Sequence, residues 1–199
     1  MRRGDYTVIR IYFVRHGATA GNLERRYIGV TDEALSKIGE QQLLEVKKQN
    51  IMPDRVFVSP RLRAIQTAQL LFPNHEHQIC DGLAETDFGI FEAKTADELS
   101  NVKEYQAWLD TMCLGPIPGG ESVSEFKKRC CTAFEVLLEN TADNTVLALV
   151  THGGVIMAIL EKYARPQRDF YAYHIAPGTM LCCEYDGVLK LSDCEETGK

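Results

Sequence analysis

Three short apolar runs along the chain predict buried β-strands. They cover residues 8–14, 56–58 and 145–150. The first and last runs are almost continuously apolar, which is typical of strands that are covered on both faces of a sheet. Near the end of the chain, Asp186-Gly187 separates runs 180–185 and 188–191 and predicts the turn of a β-hairpin.

Segments with helical spacing lie between the predicted strands. Ser36 is a candidate N-cap for a helix that runs to about residue 49. Four apolar side chains of this helix are expected to be available to the core: Ile38, Leu43, Leu44 and Val46. A second helix is predicted from Arg61 to Leu71, before the breaker Pro73.

Two more helices follow in the second half of the chain. Ser122 and Glu125 have the spacing of a capping box. The apolar stripe after them has a period of about 3.6 and consists of Phe126, Cys130, Phe134, Leu137 and Leu138. The last helix is predicted after Gly154, through Lys162. Strands that alternate with helices predict an α/β fold, a three-layer sandwich with a mostly parallel central sheet flanked by helices.

The length of 199 residues fits one domain, which we expect to span 1–199. The segment 81–120 is less regular than the rest. It contains Trp108 and two short helical possibilities, and we expect it to form a cap over a site.

The composition is that of a soluble globular protein, with 45% apolar and 25% charged residues. A net charge of −6 argues against nucleic-acid and membrane-surface binding, and no apolar stretch approaches the roughly 18 residues of a membrane span. The seven cysteines lack C-x-x-C spacing and include two adjacent pairs. They predict neither a disulfide framework nor a structural zinc site, and favour the reducing cytoplasm.

Two predicted strands end in a histidine followed by glycine. Arg15-His16-Gly17 follows the first strand, and Thr151-His152-Gly153-Gly154 follows the strand at 145–150. If the strands are neighbours, both imidazoles face one crevice. A neutral imidazole can attack phosphorus, arginine matches phosphate oxygens, and the amides that begin the next helix bind anions. Each histidine alone could also be an ordinary residue at a strand end.

Together, four segments resemble the histidine phosphatase (phosphoglycerate mutase-like) superfamily. They are R-H-G-x-T-x-x-N at 15–22, S-x-x-x-R-A-x-x-T-A at 59–68, L-x-E-x-x-x-G-x-x-E at 83–92, and the His-Gly pair at 152–153. The resemblance implies that His16 is the nucleophile and Glu85 the proton donor. It also implies that Arg15, Asn22, Arg63, His152 and Gly153 contact phosphate, with His152, Arg15 and Arg63 also catalytic.

Several residues have competing interpretations within this resemblance. Asn22 could instead cap a turn, and Asp87 is a substitute candidate for the acid. Spacing selects Arg63 over Arg61, which we expect to be a solvated charge. Glu92 is expected to be structural. The family usually has glycine after this glutamate, whereas this chain has Ala93.

The resemblance implies an enzyme of the phosphatase branch, a phosphoric monoester hydrolase that needs no metal or other cofactor. Its expected partner is a small phosphorylated metabolite, and a homodimer is compatible with the sequence. The pattern N-x-x-x-R-Y-x-G-x-x-D at 22–32 is similar to alpha-ribazole phosphatases of cobalamin biosynthesis and to broad-specificity sugar phosphatases. The alternatives are a phosphoglycerate mutase, an inactive phosphopeptide-binding module and a zinc hydrolase.

Overall fold

A six-stranded sheet forms the centre of the protein, and the computed structural model describes residues 8–192. The strands are β1 (Ile9–Arg15), β2 (Arg55–Val58), β3 (His77–Ile79), β4 (Val146–Thr151), β5 (Met180–Tyr185) and β6 (Leu189–Ser192). Their order is β3-β2-β4-β1-β5-β6. The pairs among β1, β2, β3 and β4 are parallel, whereas β5 pairs antiparallel with both β1 and β6. The predicted α/β fold with a mostly parallel sheet is therefore confirmed.

Helices cover both faces of this sheet. They are α1 (Ala20–Leu23), α2 (Lys37–Lys47), α3 (Leu62–Leu71), α4 (Ala96–Leu99), α5 (Lys103–Asp110), α6 (Val123–Glu139) and α7 (Gly153–Tyr163). Side chains of β1 alternate between two cores, since Phe13 packs with α6 and α7 while Val14 packs with α2 and α3. No helix within residues 8–192 is long and apolar enough to cross a membrane.

The carboxyl ends of three parallel strands meet at one edge of the sheet. Arg15 is in register with Thr151, and Val58 is in register with Val150. The residues that leave these strands are therefore neighbours, as expected for the crevice of an open α/β sheet.

The inner face of α2 differs from the one predicted. Leu43 and Val46 are buried, but Ile38 and Leu44 are about half exposed. The third inner position is Gly39, where an added Cβ would lie 2.1 Å from the carbonyl oxygen of Ala18. A close approach between helix and loop thus sets the rotation of α2 and turns Ile38 outward.

The strand β3 has no counterpart among the predicted elements. It is three residues long and lies at the edge of the sheet. Five cysteines are free thiols, namely Cys80, Cys113, Cys130, Cys131 and Cys182, and the sixth, Cys183, is buried in β5. The seventh, Cys194, lies outside the described residues.

The segment 81–120 packs around a third core, separate from the two that cover the sheet. This aromatic cluster consists of Tyr27, Phe88, Phe91, Tyr105 and Trp108. The hydroxyl groups of Tyr27 and Tyr105 lie 2.8 Å apart. Because α4, α5 and two 3₁₀ turns (Asp81–Leu83 and Gly89–Phe91) alternate with loops here, the segment has no single hydrophobic period.

Candidate active site

His16 is buried directly after β1, and one of its ring nitrogens is held by the backbone. Nδ1 lies 2.7 Å from the carbonyl oxygen of Gly17. Because a carbonyl only accepts, Nδ1 carries the proton and Nε2 keeps its lone pair. Burial, together with the positive charges of Arg63 and Arg15, lowers the pKa of His16 to about 3. The ring is therefore neutral at neutral pH and free to act as a nucleophile through Nε2.

His152 follows β4 and lies beside His16. The two ring centroids are 5.0 Å apart. Nε2 of His152 lies 2.6 Å from Oγ of Ser59, the residue that follows β2. Burial, with the neighbouring His16 and arginines, holds the pKa of His152 well below its usual value. When the Ser59 hydroxyl donates to Nε2, the proton of the neutral ring is on Nδ1, which is then a hydrogen-bond donor.

Two arginines are fixed around the histidines by backbone carbonyls. Arg63 is fully buried, and its terminal nitrogens donate to the carbonyls of Thr31, Gly29 and Ile28 at 2.9, 2.9 and 3.2 Å. Arg15 donates through Nη1 to the carbonyl of Ile175. These contacts hold both guanidinium groups in place while leaving their Nε atoms unused.

Three buried nitrogens around His16 have no hydrogen-bond partner among the described residues. They are Nε of Arg15, Nε of Arg63 and Nδ1 of His152. A buried donor without a partner costs about 1–3 kcal/mol, so such a group is retained where a ligand satisfies it. Donors of this kind match the oxygens of a phosphoryl group. The arrangement is therefore a candidate phosphate site with a nucleophile in its wall.

Arg61 differs from the expected solvated charge. Its Nε is buried without a partner among residues 8–192. Its positive charge contributes to the lowered pKa of His152 and of Arg63. Arg61 therefore adds to the positive potential of the site, whereas Arg63 is held within it.

Asn22 forms a cap in this structure. The side-chain Oδ1 of Asn22 accepts from the backbone amide of Thr19 at 3.2 Å. The backbone amide of Asn22 donates to Oγ1 of Thr19, also at 3.2 Å. The carboxamide oxygen thus orders the loop after His16. A contact from the carboxamide nitrogen to phosphate stays a prediction.

The side chain of Glu85 lies against the first turn of α7. Its Oε2 accepts from the Gly154 amide at 3.2 Å and its Oε1 from the Thr86 amide at 3.0 Å. A Cβ on Gly154 would lie 2.4 Å from Oε1 of Glu85, and one on Gly153 would lie 3.1 Å from the Arg15 guanidinium. Glycines suit these two positions because the Glu85 carboxylate and the Arg15 guanidinium both lie against the first turn of α7.

Asp87, the substitute candidate for the acid, has a different environment. Its Oδ1 accepts from the Gly89 amide at 2.8 Å within a tight turn. The carboxylate of Asp87 is thus occupied in holding the turn, whereas the charge of Glu85 acts on Arg15 and Arg63, so Glu85 remains the candidate acid.

Glu92 connects two parts of the site through backbone amides. Its Oε1 accepts from Gly29 and Thr31 at 2.7 and 2.9 Å, and its Oε2 accepts from Phe88 at 3.3 Å. Gly29 and Thr31 are the residues whose carbonyls hold Arg63. The adjacent Ala93 has φ of +60°, which explains why glycine suits this position.

Arg129 is a candidate positioning residue that we did not predict from the sequence. Its Nη1 donates to the carbonyls of Gly82 and Ala84, both at 3.0 Å, and its other nitrogens form a two-point ion pair with Glu121. It thus fixes the backbone that carries Glu85. The available signal was weak, namely one arginine next to the buried stripe of α6.

A cavity of about 310 Å³ opens beside these groups. Its inner end is lined by Arg15, Glu85 and Gly153. The rings of Tyr27, Phe88 and Trp108 line this cavity, whereas Tyr173 packs in the core next to α7. Among residues 8–192, no three His, Cys, Asp or Glu side chains are grouped so that they could hold a metal ion.

Comparison with known proteins gives one family and several similar structures. Residues 11–190 match the family described as "Histidine phosphatase superfamily (branch 1)". A protein of Salmonella paratyphi C, named a probable phosphoglycerate mutase, is 32% identical over 154 residues, which are 73% of this chain and 70% of that protein.

Two solved structures share the fold. The alpha-ribazole phosphatase of Shigella flexneri superposes with a TM-score of 0.83 at 21% identity and covers 92% of this chain and 94% of its own. A phosphoserine phosphatase of Entamoeba histolytica, in complex with 3-phosphoglyceric acid, has a TM-score of 0.78 at 24% identity and covers 93% and 95%.

Proposed function

The chain belongs to the histidine phosphatase superfamily, and on this premise we propose that it is a metal-independent phosphomonoesterase that acts through a phosphohistidine intermediate. The observation that carries the proposal is the buried, neutral His16 with three unpartnered nitrogens around it, from Arg15, Arg63 and His152. A phosphate monoester would satisfy these donors and place phosphorus next to Nε2.

In the first step, Nε2 of His16 attacks phosphorus, and the N–P bond forms as the ester P–O bond breaks. The protonated carboxyl group of Glu85 gives its proton to the leaving alcohol oxygen. Donors from Arg15, Arg63 and His152 stabilise the charge on the three equatorial oxygens.

In the second step, the Glu85 carboxylate takes a proton from water, and the water oxygen attacks phosphorus. The N–P bond breaks, inorganic phosphate leaves, and His16 returns to its neutral form with Nδ1 still donating to Gly17. Two displacements thus replace one difficult hydrolysis.

The first substrate to test is alpha-ribazole 5′-phosphate, which would place the enzyme in cobalamin biosynthesis in the cytoplasm. Two observations support this choice: the fold shared with an alpha-ribazole phosphatase and the loop pattern at 22–32. In that loop, Gly29 holds Arg63, and the Asp32 carboxylate accepts from the Leu62 amide at the start of α3.

The second candidate is phosphoglycerate mutase, because the Salmonella paratyphi C relative carries that name at 32% identity. A mutase returns phosphate from the histidine to a second substrate instead of to water. Bisphosphoglycerate-dependent isomerisation of phosphoglycerate that is faster than phosphate release would establish it.

The test of the proposal is to trap the intermediate. Acid-sensitive phosphate on His16, found by mass spectrometry after mixing with p-nitrophenyl phosphate, is the expected result, and His16→Ala should carry none. Turnover should be unchanged by EDTA. Loss of activity in EDTA, restored by zinc, would instead favour the zinc-hydrolase alternative.

A further inference from the structure

We infer that the substrate is the phosphate monoester of an alcohol that carries an apolar ring and no second anionic group. This inference rests on the proposed function, because it assigns the cavity beside Glu85 to the leaving alcohol. The ring-binding pocket, as we call this cavity, is lined chiefly by Tyr27, Phe88, Trp108, Phe126, Met157 and Tyr171.

The position of the pocket identifies which part of the substrate it receives. Arg15 and Gly153 line it next to the phosphate site, and Glu85 lines it next to the proposed proton transfer. In the proposed mechanism the ester oxygen receives its proton from Glu85 and therefore lies next to it. The alcohol beyond that oxygen must then extend into the pocket.

The walls of the pocket suit a flat apolar group. Aromatic side chains from the 81–120 segment form one side, and Phe126, Met157 and Phe170 form the other. The volume of about 310 Å³ is at the lower end of the range for small-molecule sites, about 300–1,000 Å³. Rings contribute large apolar contact areas and preferred edge-to-face arrangements with other rings.

The charges in the pocket disfavour a second anionic group. Among the described residues that line it, Arg15 is the one arginine or lysine, and it also serves the phosphate site. The remaining ionisable side chains include the carboxyl group of Glu85 and the exposed His174. A carboxylate on the alcohol would therefore be desolvated near Glu85 without a cation of its own, which is costly.

Contacts behind the walls hold them in place before substrate arrives. The ring of Tyr27 lies 5.3 Å from that of Phe88 and 5.7 Å from that of Trp108. On the other side, Nζ of Lys127 lies 4.5 Å from the centre of the Phe170 ring and forms an ion pair with Glu161 at 2.6 Å. A pocket already shaped for a ring loses little ordering entropy on binding.

The test compares two alkyl esters whose leaving alcohols are equally unactivated, 2-phenylethyl phosphate and ethyl phosphate. We expect kcat/KM for the phenylethyl ester to be roughly 30-fold higher, from burial of the ring. 3-Phosphoglycerate should be a poorer substrate than the phenylethyl ester. Alpha-ribazole 5′-phosphate belongs in the same panel as a larger ring-bearing ester.

Phe88→Ala should remove most of the phenylethyl preference, measured as the ratio of kcat/KM for the phenylethyl ester to kcat/KM for the ethyl ester. Leu109→Ala is the matched control, because Leu109 is an exposed apolar residue of α5 outside the pocket lining. Tyr171→Ala is a second pocket variant with little risk to folding, since Tyr171 is 51% exposed.

Equal kcat/KM for the two alkyl esters, or a preference for 3-phosphoglycerate, would overturn the inference and leave the proposed phosphatase intact. Loss of the preference in Leu109→Ala as well as in Phe88→Ala would also count against it. Failure to hydrolyse any monoester, with no phosphate found on His16, would overturn the proposed function and this inference together.

Discussion

The phosphate site and the ring-binding pocket adjoin each other but are built in opposite ways. The phosphate site lies where β1, β2 and β4 end, and Arg63 and His152 in it are fully buried. The pocket takes its side chains mainly from the irregular 81–120 segment and from loops, and Phe88 and Tyr171 remain accessible. We therefore expect the strand-end residues to determine the reaction and the pocket residues to determine which alcohol is accepted.

The largest effect should come from His16→Ala, which removes the nucleophile but leaves the pocket. We expect kcat to fall by on the order of 10⁴-fold or more for every ester. Circular dichroism should match the wild type, because His16 follows β1 and is not one of the apolar side chains that form the two sheet cores. His75→Ala is the matched control, a partly buried histidine away from the site. Near-wild-type hydrolysis of p-nitrophenyl phosphate by His16→Ala would disprove the mechanism.

Glu85→Gln should separate esters by their leaving group. We expect a loss of about 10²–10⁴-fold in kcat for alkyl phosphates, which need a proton on the leaving oxygen. The leaving group of p-nitrophenyl phosphate departs without a proton, so the first step with this ester should slow much less. The rate of this step is measured from the initial burst of p-nitrophenolate. Asp87→Asn is the control, and equal losses for both ester types would remove Glu85 from the role of acid.

Glu92→Gln should affect both regions at once, because Glu92 accepts from the loop that holds Arg63 and from Phe88. An amide NH₂ group cannot accept from a backbone N–H, so at least one of these contacts is lost. We expect kcat/KM for alkyl phosphates to fall by about 10- to 100-fold through misplacement of Arg63.

The same Glu92 variant should reduce the phenylethyl preference. Glu98→Gln, an exposed glutamate at the start of α4, is the control. A change in the phenylethyl preference alone, with ethyl phosphate unaffected, would show that Glu92 serves only the pocket.

The smallest effect should come from Ala93→Gly. Ala93 has φ of +60°, where an L side chain is strained, so glycine should raise the free energy of unfolding by about 0.5–1 kcal/mol. Urea denaturation measures this change, and kcat/KM should stay as in the wild type. A lower free energy of unfolding for Ala93→Gly would mean that contacts of the Ala93 methyl group stabilise the fold by more than the backbone strain costs.

The strand-end residues could be predicted because the apolar runs mark the strands and the His-Gly pairs mark their ends. The rotation of α2 could not, because it depends on the contact between Gly39 and Ala18, which are 21 positions apart. Likewise, β3 is a strand chiefly because β2 offers it an edge. Local pattern cannot reveal such long-range contacts.

Within the site, Arg63 is fully buried, whereas Arg61 is partly exposed with its Nε enclosed by the fold, which the motif spacing did not reveal. The support from Arg129 was also missed, since its contacts are to the carbonyls of Gly82 and Ala84. Carbonyl acceptors are present in every residue, so nothing in the sequence of 82–84 marks them as partners. Groups that act through their own side-chain chemistry are therefore easier to predict than groups that act through the backbone.

The pairing of β1 with β4 has a consequence for how such a site can arise. Arg15 and Thr151 are in register, and the His16 amide donates to the Thr151 carbonyl at 3.0 Å, so each histidine is one residue beyond the same rung of the ladder. The 5.0 Å between the two rings is close to the separation of neighbouring strands, about 4.8 Å. The distance between the two imidazole rings is thus set by the pairing of the two strands. The loops around the site can therefore change in length or sequence, and the substrate can change with them, while the spacing of the two imidazoles stays the same.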